Sequence, residues 1–127
     1  MRLMIVCDQP SVTRRLCSEL SNCPAEIIRV ANLLELKVAC ESPFDLALIN
    51  VAWTELVECI HTIRESPSGR HCAVLVAAEC LSNERGRTGI LPILRAMPCP
   101  HRDMVKLAHR LMIGRQEKER RWNRRTL

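Results

Sequence analysis

Hydrophobic and polar positions along this chain follow two periods. Runs that are apolar almost throughout occur at residues 3–6, 25–30, 46–51, 73–77 and 93–97. Most are followed by a stretch in which apolar residues return every three or four positions, the spacing of one helix face. After the first run, Pro10-Ser11 opens a helix with Val12, Leu16, Cys17 and Leu20 on a common side. Asn32 is placed to cap a second helix, which carries Leu33, Leu36 and Cys40 and runs to residue 41, where Ser42-Pro43 breaks it. Thr54 is placed to cap a third, with Leu56, Val57, Ile60 and Ile63 inward, and Ser-Pro-Ser-Gly at 66–69 ends it. A last helix starts near residues 101–103 and repeats Met104, Leu107, Ala108 and Leu111 at helical spacing.

Strands with no polar alternation are buried on both faces. Alternating with amphipathic helices, they imply a parallel sheet covered on both sides. Five such units within residues 1–113 fit the doubly wound, flavodoxin-like α/β fold with strand order 2-1-3-4-5. Residues 79–92 fit least well. Gly86, Gly89 and Pro92 interrupt the apolar pattern, so the fourth helix is expected to be short or irregular. Residues 1–113 are read as one domain and 114–127 as a basic C-terminal tail or helix extension.

At 127 residues the chain is long enough for a genuine core, and 47% of it is hydrophobic. No apolar run approaches the ~18 residues of a membrane span, and the apolar run at the N-terminus is too short for a signal-peptide core. A cytoplasmic protein with no membrane contact is expected. Eight cysteines in such a chain are expected to be reduced, and those within apolar patterns (Cys17, Cys40, Cys59) buried. There is no Cys-X-X-Cys pair, and His71-Cys72 with Cys99-Pro-His101 is only a loose cluster. No metal and no cofactor are expected.

Charge divides the chain. Residues 1–113 hold thirteen Lys and Arg against twelve Asp and Glu, whereas 114–127 hold Arg115, Lys118, Arg120, Arg121, Arg124 and Arg125 against Glu117 and Glu119. A near-neutral body thus carries a tail of net +4. Three readings of the tail stay open: a solvated or frayed extension, a helix used in dimerisation or docking, and a nucleic-acid contact. Six positive charges would give salt-dependent DNA affinity, but no helix-turn-helix pattern supplies base readout.

With the elements placed, several fragments carry a family likeness. Leu-Met-Ile-Val-Cys-Asp-Gln-Pro at 3–10 looks like a first strand and its acidic turn, and Val-Ala-Asn-Leu-Leu-Glu-Leu at 30–36 a second strand entering its helix. Thr-Ile-Arg-Glu at 62–65, Val-Ala-Ala-Glu at 76–79 and Arg-Ala-Met-Pro at 95–98 match the ends of helix three, strand four and strand five. In this order and near-correct spacing they make residues 1–113 resemble the receiver domain of bacterial response regulators.

The resemblance implies a phosphoryl-accepting aspartate at the end of strand three, where this chain has Asn50. Receivers also need a pair of acids holding Mg²⁺, a hydroxyl after strand four and a lysine after strand five. The matching positions carry Cys7 and Asp8 for the acids, Ala77 for the hydroxyl and Met97 for the lysine. An amide is neutral and weakly nucleophilic, so Asn50 cannot form an aspartyl phosphate. Asp45 is the nearest carboxylate, but it opens the strand, ~17 Å from the carboxyl end. With its partners gone, Asp8 is expected to cap the following turn or helix, and Asn50 to satisfy nearby backbone groups. A redox role for Cys7 is opposed by the carboxylate of Asp8, which raises a thiol pKa. Leu94 stands where an aromatic switch residue is common, and the resemblance implies a cis Met97–Pro98 bond.

These substitutions imply a degenerate, phosphorylation-independent pseudo-receiver. The expected function is a non-enzymatic adaptor in bacterial two-component signalling or regulation, binding another signalling or regulatory protein, with a homodimer as a further expectation. Its partner surface is expected to use Leu94, His101, Met104, Val105 and His109, with His101 and His109 on the exposed side of the last helix. The alternative is a transcription regulator whose basic tail contacts nucleic acid.

Overall fold

The computed structural model describes residues 1–81 and 90–126. Part of the 79–92 segment, including Gly86 and Gly89, therefore lies outside the described residues, as does Leu127. Strands β1 (Arg2–Cys7), β2 (Glu26–Val30), β3 (Leu46–Asn50), β4 (Ala73–Ala77) and β5 (Ala96–Cys99) alternate with helices α1 (Pro10–Glu19), α2 (Leu33–Ala39), α3 (Trp53–Glu65), α4 (Ile90–Leu94) and α5 (Met104–Thr126). Every pairing is parallel and the order is β2-β1-β3-β4-β5, the flavodoxin-like arrangement.

The continuous apolar runs become strands because both faces of the sheet are covered. Met4, Val6, Ala47, Ile49, Val74 and Val76 face α2, α3 and α4, while Leu3, Ile5, Leu46, Leu48 and Leu75 face α1 and α5. Period-two strand geometry sends neighbouring residues to these opposite cores. Each fully buried Leu or Ile contributes ~1.5–3 kcal/mol.

Local signals set most helix boundaries. Pro10 occupies the first turn of α1, and the side chain of Asn32 accepts the Glu35 N–H at 2.9 Å to cap α2. The Glu35 carboxylate returns a bond to the Ala31 N–H, so both ends of the helix start are fastened. After α3, Ser66 turns the chain, its hydroxyl bonding the Ile63 carbonyl and accepting the N–H of buried Gly69. A Cβ at Gly69 would overlap the Ile63 carbonyl, so only glycine fits.

Three expected boundaries move. Helix α3 begins at Trp53 with Ala52 as its cap, so Thr54 lies within the first turn and does not cap it. Residues 93 and 94 belong to helix α4, and β5 begins only at Ala96. Between them Arg95 adopts φ 59°, in the left-handed region, which ends the helix and turns the chain into the strand. Arg64 supports this turn from α3, donating from Nε to the Leu94 carbonyl at 3.1 Å and from Nη2 to the Arg95 carbonyl at 2.7 Å. Its Nη1 donates to the Gly69 and Cys72 carbonyls at 2.8 and 2.7 Å. The Met97–Pro98 bond is trans, contrary to the expectation of a cis bond.

The chain remains helical through Gly114, where a Cβ would meet nothing, and α5 reaches Thr126. Among the described residues, Met112 is the last buried one in its sequence. The eight cysteines are all free thiols, five of them buried. No helix among the described residues is long and apolar enough to cross a membrane.

Candidate functional site

The carboxyl ends of the parallel strands bring the chemistry-bearing positions together, the usual place for sites on open α/β sheets. Register sets Cys7 opposite Asn50 and Ala77 opposite Cys99, while Asp8 follows β1 directly. Four of the five residues named for the degenerate pocket therefore meet at this end: Cys7, Asp8, Asn50 and Ala77.

Met97 does not. It pairs with Leu75 inside the sheet, two residues before the end of β5, and its side chain is 47% exposed. The residue at the strand end beside Ala77 is buried Cys99, followed by Pro100. A lysine-like position thus falls on a thiol rather than a thioether, and the site still has no cation there. Leu94 moves for the same reason: it lies in α4, half-buried against the core, rather than on strand five.

Asn50 is half-buried, and its amide is engaged by side chains rather than by backbone. Its Oδ1 accepts from the Cys80 thiol at 3.3 Å, and its Nδ2 lies 3.3 Å from Nδ1 of His101. An amide nitrogen only donates, so this bond assigns Nδ1 as acceptor and puts the ring proton on Nε2. His101 is held in turn by its backbone N–H, which donates to both carboxylate oxygens of Glu79 at 3.1 and 3.0 Å. Glu79 and Cys80 lie in the 3-10 turn after β4, and His101 opens the one before α5. The segments after β3, β4 and β5 are thereby tied across the top of the sheet. His101 does not point away from the domain, as the sequence reading has it; it closes the site.

Electrostatics favour the neutral form of Cys80 and Cys99. Burial pushes the Cys80 thiol up, a bond to the Val51 backbone offsets part of this, and Glu79 and Asp8 push it further up. Burial likewise raises Cys99, reinforced by Asp103 and Glu79. Cys7 donates weakly to the Gln9 carbonyl at 3.5 Å. Gln9, not Asp8, is the N-cap of α1, and no side chain caps that helix. Open space lies to the other side of Asp8, in a cavity of about 470 Å³ between α1 and the end of β2, with Arg14 and Arg29 on its wall. Asp45 sits at the opposite end of the sheet, accepting the Arg2 N–H at 2.7 Å and pairing with Arg115 at 2.9 Å.

The donor set does not fit Mg²⁺. A hard cation needs several charged oxygens in octahedral array, and of the matching positions only Asp8 carries a carboxylate, beside a thiol and an amide, while Glu79 is held by the His101 N–H. Among the described residues no group of three or more His, Cys, Asp and Glu is placed to hold a metal.

No protein-family model and no curated protein matches this sequence. Solved structures do match its fold. A signal receiver domain of a two-component histidine kinase from Clostridium thermocellum superposes with a TM-score of 0.72 at 13% identity, over 87% of this chain and 96% of that one. The Vibrio cholerae chemotaxis protein CheY4 gives 0.68 at 15% identity, over 87% and 97%. A structure described as adenylate cyclase from Rhodopirellula baltica gives 0.64 at 15%, over 96% of both chains. The fold is therefore that of receiver domains.

Proposed function

We propose that this chain is a pseudo-receiver that works without phosphorylation, as a protein-binding adaptor in signalling or regulation. The observation that supports this is the closure of the acceptor position at the carboxyl end of its sheet. Asn50 stands at the acceptor position and is bonded to His101 and Cys80. Ala77 offers no hydroxyl and Cys99 no charge to steady phosphoryl oxygens. The fold persists while its transfer chemistry does not, which leaves the surface as the working part and assigns no catalytic step.

The surface best suited to a protein partner lies on α4, β5 and the start of α5. Ile93 is 78% exposed and Met97 is nearly half exposed, beside half-buried Leu94 and Val105 and exposed His109. Met104, expected there from sequence, is fully buried beneath α5 and takes no part. Exposed apolar groups of this size mark interaction sites when they are contiguous.

Incubation with acetyl phosphate and Mg²⁺ followed by intact mass spectrometry tests the first half of this reading. No ~80 Da adduct, the mass of a phosphoryl group, is expected on the native chain. Asn50→Asp should remain unmodified too, because Ala77 and Cys99 are unchanged. A stable adduct on the native chain would overturn the proposal. Light scattering of the native chain and of Met97→Asp tests whether the partner is a second copy.

A further inference from the structure

We infer that the part of α5 beyond the domain is a contact for duplex DNA, a function separate from the adaptor surface. After Met112 the described residues of the helix are half-buried or exposed, and residues 113–126 extend it by ~20 Å at 1.5 Å per residue. Six basic residues lie on this segment, and Arg115, Lys118, Arg120 and Arg121 are exposed. Lys118 and Arg121, three positions apart, share one face. Glu117, four positions before Arg121, borders this face and offsets part of its charge. Trp122, 67% exposed, borders it.

The occupant follows from charge and shape. The body of the chain is near neutral, so attraction for an anion is concentrated on this helix. A membrane would require an apolar face, and Ile113 and Trp122 are the only large exposed hydrophobics described on the segment. A second copy would bring like charges together across a two-fold axis. Five of the six basic residues are arginines, whose planar fork matches phosphate oxygens in pairs. A single helix of this length fits the ~12 Å major groove of B-DNA, whereas the deep, narrow groove of duplex RNA excludes it. Binding is carried by phosphates and is insensitive to base sequence.

Fluorescence anisotropy of the full chain with a labelled random-sequence 20-base-pair DNA tests this. Binding at 50 mM salt is expected to weaken by roughly 150- to 2,000-fold at 200 mM, the slope for four to six phosphate contacts. Lys118→Glu with Arg121→Glu should lower affinity at 50 mM at least tenfold and flatten the slope, with an unchanged melting temperature. Lys118→Gln with Arg121→Gln should do the same to a lesser degree. Arg14→Glu, on the domain body, should change the affinity less than twofold. The inference is overturned by absence of binding at 50 mM, or by equal binding of the charge-reversed chain. It is also overturned if polyglutamate or phosphatidylserine vesicles displace the DNA at matched charge concentration.

Discussion

Replacing Arg64 by methionine should loosen the proposed partner face without touching it. The substitution keeps an apolar stem of similar reach and removes four donors. Three of the carbonyls it serves, those of Leu94, Gly69 and Cys72, are part-buried, and that of Arg95 is exposed. A buried bond from a charged donor is worth ~1.5–3 kcal/mol. Allowing about 1 kcal/mol for each part-buried bond and nothing for the exposed one gives a loss of ~3 kcal/mol. For a domain of this size that lowers Tm by roughly 10–15 °C. Scanning calorimetry reads the shift, and amide exchange at residues 93–97 should quicken more than at β1. Arg64→Lys should recover less than half, because one ammonium cannot span carbonyls on three segments. A Tm within ~3 °C of the native value for Arg64→Met, or full rescue by lysine, would refute the argument.

Three further outcomes follow from other contacts. Gly69→Ala should cost at least ~3 kcal/mol in urea unfolding, since its Cβ overlaps the Ile63 carbonyl and the backbone has to move. Asp45→Ala should cost ~1–2 kcal/mol through the lost bond to the Arg2 N–H, but Arg115→Ala under ~1 kcal/mol because that pair is half exposed. The Cys59 thiol is pushed up to about 11, by burial first and then by Glu55, Glu58 and Asp8. The folded chain therefore keeps this proton where the unfolded chain loses it, so stability is full below pH 9.0 and falls as the pH rises toward 11. Melting at pH 8 and 10.5 should show the decline, and Cys59→Val should flatten it.

Much of this fold is legible in the sequence because its signals are local and agree with one another. The β4 strand occupies residues 73–77 as expected, and Asn32 caps α2. Strand five departs from the sequence expectation for a physical reason. Ile-Leu-Pro-Ile-Leu at 90–94 has the composition of a buried strand, yet it forms a helix in which Leu91 is buried and Ile93 faces solvent. The ties among Asn50, Cys80, His101 and Glu79 were hidden, because they join segments 22 to 51 residues apart. His101 was read as solvent-facing from helical spacing, but it precedes the helix proper and obeys no such period.

The two free margins of the sheet shape how copies of this protein meet in a crowded cell. At one margin β5 is four residues long with Pro98 inside it, so it presents at most two outward N–H groups to an incoming strand. At the other, β2 displays Glu26 and Arg29 in exposed positions. Short, proline-broken and charged margins resist the strand-by-strand stacking that begins fibril growth. Any assembly of this chain would therefore have to grow through helix faces and side chains, where a single substitution can break it.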